Sequence, residues 1–180
     1  METLKFDSPS NALAISYREL IQEFLDRGEQ LIPFILAVPN EPFSEFLRKL
    51  DAWSRGEELP VGFVPHSTFW LIRDGEVVGV SNLRHKLTEK LMLEGGNVGY
   101  GIRPSARGCG FATVLLSQTL DRARSMGLRE VLLTCAKDNA ASVATITRNG
   151  GTLMSEAFIE ARGEIVQRYK IGLARRANAF

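Results

Sequence analysis

Residues 99–113, GYGIRPSARGCGFAT, decide the fold of this chain. The stretch begins with residues typical of a strand, which Pro104 ends, and from Phe111 onward it has the pattern of a helix. Between the two lie Gly108 and Gly110, which let the backbone approach a ligand without a Cβ in the way. The stretch therefore predicts a strand, a glycine turn and a helix in direct succession.

The start of this helix is a candidate anion site. The first N–H groups of a helix have no partner within it, and the helix dipole places partial positive charge there. Arg107 adds a full positive charge beside the turn. Together these properties suit a phosphate group. An ordinary strand-to-helix turn without a ligand is the alternative interpretation of the two glycines.

The turn can be compared with known phosphate-binding motifs. A Walker loop ends in Gly-Lys-Ser/Thr, which this turn lacks. A dinucleotide motif needs Gly or Ala at Thr113, and strand–helix units early in the chain, where helices and a hairpin come instead. The motif Arg-x-x-Gly-x-Ala is met by Arg107, Gly110 and Ala112. On these residues the chain resembles the GNAT superfamily of N-acetyltransferases.

Residues downstream of the turn extend this resemblance. Asn139 and Ser142 match the family's Asn-x-x-Ser helix start, and residues 148–151, RNGG, resemble the glycine turn that ends that helix. The matching motifs span residues 97–151. The runs STFWL, GYGIRP and LLTC, which begin at residues 67, 99 and 132, resemble a subgroup of acetyltransferases without an assigned substrate.

In this family the glycine turn holds the pyrophosphate of acetyl-CoA, and the pantetheine arm lies between two strands that splay apart. The resemblance therefore implies acetyl-CoA as co-substrate. It implies cofactor contacts from Ile102, Arg107, Gly108, Cys109, Gly110, Phe111, Ala112, Thr113, Asn139 and Ser142.

Apolar periodicity predicts the other elements. Asp74-Gly75 is a strong hairpin signal because both residues tolerate positive φ. The run Glu130–Cys135 is mostly apolar, which is typical of a strand buried on both faces. The predicted elements are helices 17–24 and 41–53, strands 68–73, 77–83 and 97–103, helix 111–126, strand 130–135, helix 140–149, and strands 152–159 and 164–171.

This order is an α/β or mixed α+β pattern. The resemblance implies a central mixed, mostly antiparallel sheet flanked by helices, in which the strands ending at Ile102 and Cys135 splay apart. The 180 residues fit a single domain. Within it, residues 1–60 are expected to be a helical region on the acceptor side, and residues 97–151 the acetyl-CoA-binding core.

Composition excludes several classes of protein. Lys+Arg 22 against Asp+Glu 21 gives a net charge of +1, and the longest basic cluster is Arg175-Arg176, so a nucleic-acid partner is not expected. Two cysteines and two histidines are scattered along the chain, which favours neither a metal site nor a disulfide framework. We therefore expect a cytoplasmic protein without a metal, and the absence of a long apolar run predicts no membrane span. The resemblance also allows a homodimer.

Acetylation of an amine requires a held thioester, a polarised carbonyl and a deprotonated nucleophile. Glu94 lies just before the motif strand, where many relatives carry a glutamate, and His85 titrates near neutrality, so both are candidate bases. Many relatives place the acidic tyrosine seven residues after the Asn, and that position is Ile146 here. Tyr100 and Tyr169 are the substitutes that the sequence offers.

The sequence thus predicts an N-acetyltransferase that moves an acetyl group to a primary amine of a small molecule or peptide by direct attack. Because the usual tyrosine is missing, a non-catalytic module that binds CoA or another phosphate ligand is the alternative. A nucleotide-dependent dehydrogenase is a more distant third.

Overall fold

The computed structural model describes residues 3–173, so Arg175-Arg176 lies outside the described part of the chain. Short 3-10 turns at Asn11–Leu13, Phe34–Ala37 and Pro104–Ala106 connect some of the larger elements. The larger elements are β1 (Leu4–Asp7), α1 (Ala14–Asp26), α2 (Phe43–Arg55), β2 (His66–Arg73), β3 (Glu76–Arg84), α3 (Glu89–Glu94), β4 (Val98–Ile102), α4 (Phe111–Ser125), β5 (Glu130–Ala136), α5 (Ala140–Arg148), β6 (Thr152–Ile159) and β7 (Glu164–Gly172).

The strands form two antiparallel sheets. Sheet A has the order β1-β2-β3-β4 and sheet B has the order β5-β7-β6. The β2–β3 hairpin turns at Asp74 and Gly75, which both have positive φ, as the Asp-Gly signal predicts. The predicted fold class, antiparallel strands flanked by helices, is confirmed, but the single central sheet is divided in two.

The two sheets meet where β4 begins. The backbone N–H of Asn97 donates to the carbonyl oxygen of Leu132 at 2.6 Å, and the N–H of Leu132 donates to Oδ1 of Asn97 at 2.8 Å. Beyond this point β4 and β5 form no shared ladder within residues 3–173. The two strands therefore separate after one point of contact, which leaves a gap beside Tyr100 and Ile102.

Helices cover both faces of sheet A. On one face, α1 and α2 bury Tyr17, whose ring stacks on Phe46 at 5.6 Å and on Trp70 of β2 at 5.0 Å. On the other face lies α4, where the hydroxyl of Thr119 is 2.8 Å from that of Ser81 in β3. In each of these helices the apolar residues recur at helical spacing and so form one stripe along the helix. This stripe packs against sheet A.

Three details differ from the sequence-based expectation. The first sixty residues are not wholly helical, since β1 pairs with β2 at the edge of sheet A. A further helix, α3, precedes β4. In β5 the side chains of Val131, Leu133 and Cys135 are buried while those between them are less so; the strand therefore packs mainly through one face, not both.

A segment of residues 28–34, here called the strap, follows α1 and crosses β4. A Cβ on Gly101 would overlap the carbonyl oxygen of Ile32, and a Cβ on Gly99 would lie 3.2 Å from Cβ of Pro33. The strap therefore lies directly on the backbone of β4.

Within the described chain no helix is long and apolar enough to cross a membrane, and no group of three or more His, Cys, Asp or Glu side chains is arranged to hold a metal ion.

Candidate active site

A cleft of about 640 Å³ lies in the gap between β4 and α5, in front of the first turn of α4. Gly108 and Gly110 adopt φ of +81° and +78°, so the turn needs glycine at both positions. The N–H groups of Thr113 and Val114 donate to the carbonyl oxygen of Gly110. Those of Phe111 and Ala112 have no acceptor among residues 3–173, and they remain available to an anion.

The cleft gathers most of the cofactor contacts that the resemblance implied. Nine of the ten predicted residues line it: Ile102, Arg107, Gly108, Gly110, Phe111, Ala112, Thr113, Asn139 and Ser142. The tenth, Cys109, is exposed beside the turn, and its Sγ lies 3.7 Å from the carbonyl oxygen of Arg107 instead of lining the cleft.

Arg107 is paired with an acidic residue that sequence reasoning missed. Its Nη1 and Nη2 donate to Oε1 and Oε2 of Glu29 in the strap, at 2.9 and 2.6 Å. Its Nε donates to the carbonyl oxygen of Ile102 at 3.3 Å, and its guanidinium lies 5.2 Å from the ring centroid of Phe24. The hydrogen bonds from Arg107 hold the pKa of Glu29 below its usual value. The charge that favours phosphate is therefore partly offset by a carboxylate on the same wall.

Two asparagines fix the helices around the cleft. Oδ1 of Asn139 accepts a hydrogen bond from the N–H of Ser142 at 3.0 Å and so caps α5. Nδ2 of Asn149, at the other end of α5, donates to the carbonyl oxygens of Thr113 at 3.3 Å and Thr145 at 3.0 Å. Because of the Thr113 contact, Asn149 holds the end of α5 against the first turn of α4.

Tyr100 is the one predicted catalytic candidate that the structure brings to the cleft. Its phenol oxygen is buried and has no hydrogen-bond partner within the described residues, although the hydroxyls of Ser142 and Thr145 lie near it. Burial raises the pKa of Tyr100, and those two hydroxyls oppose the shift. The phenol therefore stays protonated at neutral pH.

Glu94 and His85 do not line the cleft. Glu94 ends α3, where its carboxylate is 3.7 Å from Nζ of Lys90. Nε2 of His85 is 2.9 Å from the hydroxyl of Ser67, and burial lowers the pKa of this histidine.

Two further positions that the sequence singled out are buried. Ile146, where relatives carry tyrosine, is 1% exposed and lies on the side of α5 that packs into the core. His66 lies under α2 and the strap, and burial, with smaller effects of Arg84 and His85, lowers its pKa to about 4. His66 is consequently neutral at physiological pH and too weak a base to hold a proton there.

Several lining residues carried no signal in the sequence. Phe24, Glu29 and Ile32 reach the cleft from α1 and the strap, about seventy residues before the motif, and only the tertiary fold brings them there. Arg148 belongs to the turn that ends α5, and nothing in the sequence predicts its position in the cleft wall.

Two separating strands, with a glycine turn and a helix N-terminus at the end of the gap, define an acetyltransferase of the GNAT type. The family model described as "Acetyltransferase (GNAT) domain" matches residues 34–152, and the chain belongs to that family. The expected family and enzyme class are thereby confirmed.

Solved structures show the same fold over nearly the whole chain. YncA from Salmonella typhimurium, solved with its cofactor acetyl-CoA, is 15% identical, with a TM-score of 0.62 over 99% of this chain and 98% of that one. A Salmonella typhimurium acetyltransferase that modifies the N-terminal serine of ribosomal protein L7/L12 is 16% identical, with a TM-score of 0.68 over 96% of both chains. RimL, a ribosomal L7/L12 α-N-protein acetyltransferase solved with CoA, is 16% identical, with a TM-score of 0.69 over 95% of this chain and 94% of that one. No match was found among curated protein sequences.

Proposed function

We propose that this chain transfers the acetyl group of acetyl-CoA to a primary amine of a small molecule or peptide, by direct attack within the cleft of β4, α4 and α5. The observation that carries the proposal is the pair of free N–H groups at Phe111 and Ala112, which face a cleft of about 640 Å³. Acetyl-CoA bound to YncA and CoA bound to RimL support the choice of co-substrate. The cytoplasm is the compartment in which we place this reaction.

The lining residues suit the parts of acetyl-CoA. The first turn of α4 and Arg107 suit the pyrophosphate, since N–H groups and a guanidinium both donate to phosphate oxygens. Asn139 and Ser142 face the same space from α5. The unpaired edge of β4 near Ile102 suits the amide groups of the pantetheine arm. Acetyl-CoA supplies an activated thioester, and no metal is needed for that chemistry.

In the reaction a bond forms between the amine nitrogen and the acetyl carbon while the carbon–sulfur bond breaks. The nitrogen loses a proton to water, and the departing thiolate gains one. We assign the proton that the thiolate gains to Tyr100, because its phenol is protonated and Tyr100 lines the cleft, whereas Ile146 of α5 is buried and carries no acidic group. Glu94 and His85 lie outside the cleft, so neither of them accepts the proton of the amine in this mechanism.

The acceptor is proposed as a class only. RimL acts on the α-amine of a ribosomal protein, which supports a peptide N-terminus among the candidates. The strap and α1 border the cleft through Glu29, Ile32 and Phe24, and this supports the first sixty residues as the acceptor side.

Cofactor binding tests the proposal first. Calorimetry with acetyl-CoA is expected to give a 1:1 complex, and a panel of amines is expected to release free thiol. Ala112→Leu should weaken binding at least about 10-fold, because the added side chain fills the cleft in front of the free N–H groups. Cys109→Leu is the matched control, since that side chain is exposed outside the cleft. Absence of acetyl-CoA binding at millimolar concentration would refute the proposal.

The role of Tyr100 has a separate test. Tyr100→Phe should lower kcat by about 10²-fold while leaving the KM for acetyl-CoA nearly unchanged, because only proton transfer is lost. Tyr169→Phe is the control: its hydroxyl donates to Gln167 at 2.7 Å on β7, away from the cleft. Equal activity of Tyr100→Phe and the wild type would show that the thiolate leaves without this acid.

A further inference from the structure

Two buried polar side chains on the α1–α2 side of sheet A lack part of their hydrogen bonding. His66 is 2% exposed and Asn82 is 0% exposed. Nδ2 of Asn82 donates to Nδ1 of His66 at 2.9 Å and to the hydroxyl of Thr68 at 3.1 Å. It also lies 3.4 Å from the carbonyl oxygen of Ser67. A carbonyl oxygen only accepts hydrogen bonds, so the end of the Asn82 amide that faces it is the NH₂ group.

This orientation determines the state of His66. Its Nδ1 accepts from Asn82, so its Nε2 carries the hydrogen and is a donor. Neither Nε2 of His66 nor Oδ1 of Asn82 has a partner within the described residues. A buried donor without an acceptor destabilises the folded protein, and such groups are rare unless a ligand or water satisfies them.

A third group beside them is a cation without an anion. Arg84 lies directly opposite His66 in the β2–β3 register. Its Nη1 donates to the carbonyl oxygens of Gly95 at 3.1 Å and Gly96 at 3.0 Å. No carboxylate of residues 3–173 lies within 4 Å of its guanidinium, and burial lowers its pKa. A half-buried guanidinium normally has such a counter-ion.

One aromatic ring of the strap covers both donors. The ring of Phe34 is 5.2 Å from that of His66, edge to face, and 5.6 Å from the guanidinium carbon of Arg84. Phe63, which is 44% exposed, lies 5.3 Å from Phe34 at the protein surface. Ile32 of the strap lines the cleft, and Phe34, two residues further along the strap, lies against His66 and Arg84, so the strap connects the cleft to these two donors.

We propose that Arg84 and His66 bind a carboxylate of the acceptor whose amine is acetylated in the cleft. The inference rests on the proposed function and narrows its acceptor to amines that carry a carboxylate. The guanidinium and the Nε2–H group are both donors, and a carboxylate is the anion whose two oxygens match such a pair. Because His66 is 2% exposed, this binding requires Phe34 to move away from His66 and Arg84. The carboxylate comes either from a free amino acid or from an acidic side chain near a peptide N-terminus.

Matched acceptors distinguish these two sources. L-leucine is compared with L-leucinamide, and the amidated peptide Ala-Glu-Ala with Ala-Gln-Ala. For each, kcat/KM is measured, and binding to the CoA-saturated protein is measured by calorimetry. The wild type should prefer the carboxylate-bearing member of at least one pair by about 10- to 100-fold, which is the usual contribution of a charged hydrogen bond.

Arg84→Gln should abolish this preference through KM and leave acetyl-CoA affinity unchanged. Arg168→Gln is the matched control, because Arg168 also holds the α3 segment through a carbonyl, that of Leu93 at 2.8 Å, but lies on β7. His66→Phe keeps the aromatic packing and removes the donor, so it should weaken carboxylate binding as well. Arg84→Lys, which keeps the positive charge, should bind the carboxylate more tightly than Arg84→Gln but less tightly than the wild type.

Three results would overturn the inference. They are a preference for the neutral member of both pairs, an unchanged preference in Arg84→Gln, and binding of neither member at millimolar concentration. In each case the proposed acetyltransferase function would still hold if the protein binds acetyl-CoA and releases thiol with neutral amines. Loss of acetyl-CoA binding in the wild type would instead refute the proposed function itself.

Discussion

Single residues of the glycine-rich stretch serve two different purposes. Gly108 and Gly110 have positive φ and open space around them, so their requirement is conformational and could be predicted from the turn. Gly99 and Gly101 instead make room for the strap, which lies about seventy residues earlier in the chain. Nothing in the local sequence indicates that contact, because it depends on how α1 packs on sheet A.

The same limit applies to charges at the cleft. The sequence predicted Arg107 beside the anion site, and the structure places it there. Its partner Glu29 could not be predicted, since a single acidic residue in a loop has no distinguishing pattern. Glu29 lowers the net positive charge that the turn presents to a phosphate.

Glu29→Gln should therefore strengthen CoA binding by about 2- to 5-fold, because exposed ion pairs contribute up to about 1 kcal/mol. The gain should shrink at high salt, where the competing carboxylate is screened. Calorimetry at two salt concentrations measures both effects. Glu58→Gln is the control, since Glu58 also accepts two hydrogen bonds from one arginine, Arg48, but outside the cleft. Weaker CoA binding by Glu29→Gln would show that Glu29 positions Arg107 and does not compete for it.

Elements with strong periodicity were predicted to within a few residues, and weak ones were missed. The helix at Phe111–Ser125 and the strand at Thr152–Ile159 agree with the sequence pattern. The four residues of β1 are too few to show an alternation, and α3 has six residues and buries none of them. The β5 run is continuous in apolar residues, yet one of its faces is only partly covered.

The contact between the strap and β4 can be tested at this scale. Gly101→Ala should lower the free energy of unfolding by about 1–3 kcal/mol or more, because its Cβ overlaps the backbone of Ile32 and only displacement of the strap relieves it. Gly172→Ala, in β7, has open space at its Cβ and should change stability by less than about 0.5 kcal/mol. Urea unfolding compares the two. Equal stability would mean that the strap is free to move away from β4.

At the scale of the whole molecule, the ion pair between Glu23 and Arg103 is one of the contacts that connect the helical first part of the chain to the cofactor-binding part. Glu23 of α1 accepts hydrogen bonds from Nε of Arg103 at 2.6 Å and from the N–H of Ser105 at 2.9 Å. Burial alone would raise the pKa of Glu23, but the bonds from Arg103 and Ser105 outweigh it and hold the pKa below 4.5.

A lowered carboxyl pKa stabilises the folded state above the unfolded value of 4.5, and this contribution is lost as pH falls through the folded value. Glu23→Gln should therefore lower the free energy of unfolding by about 1–3 kcal/mol at pH 7, and the difference from the wild type should shrink as pH falls below 4.5 and through the folded value. Denaturant titrations at several pH values measure this. Glu19→Gln is the control, because Glu19 lies 3.4 Å from Arg103 and is 55% exposed. A difference between wild type and Glu23→Gln that is independent of pH would contradict the assignment.

The separation of sheets A and B has a consequence for the protein's behaviour in solution. Beyond Asn97, β4 has one side paired with β3 and the other without a ladder in the described chain, so it is an edge strand. Such an edge is a template for strand addition by another molecule, which leads to aggregation. The pantetheine arm, bound along β4, would occupy that side as a substitute strand. We therefore expect cofactor concentration during expression and purification to set how much of the protein remains monodisperse.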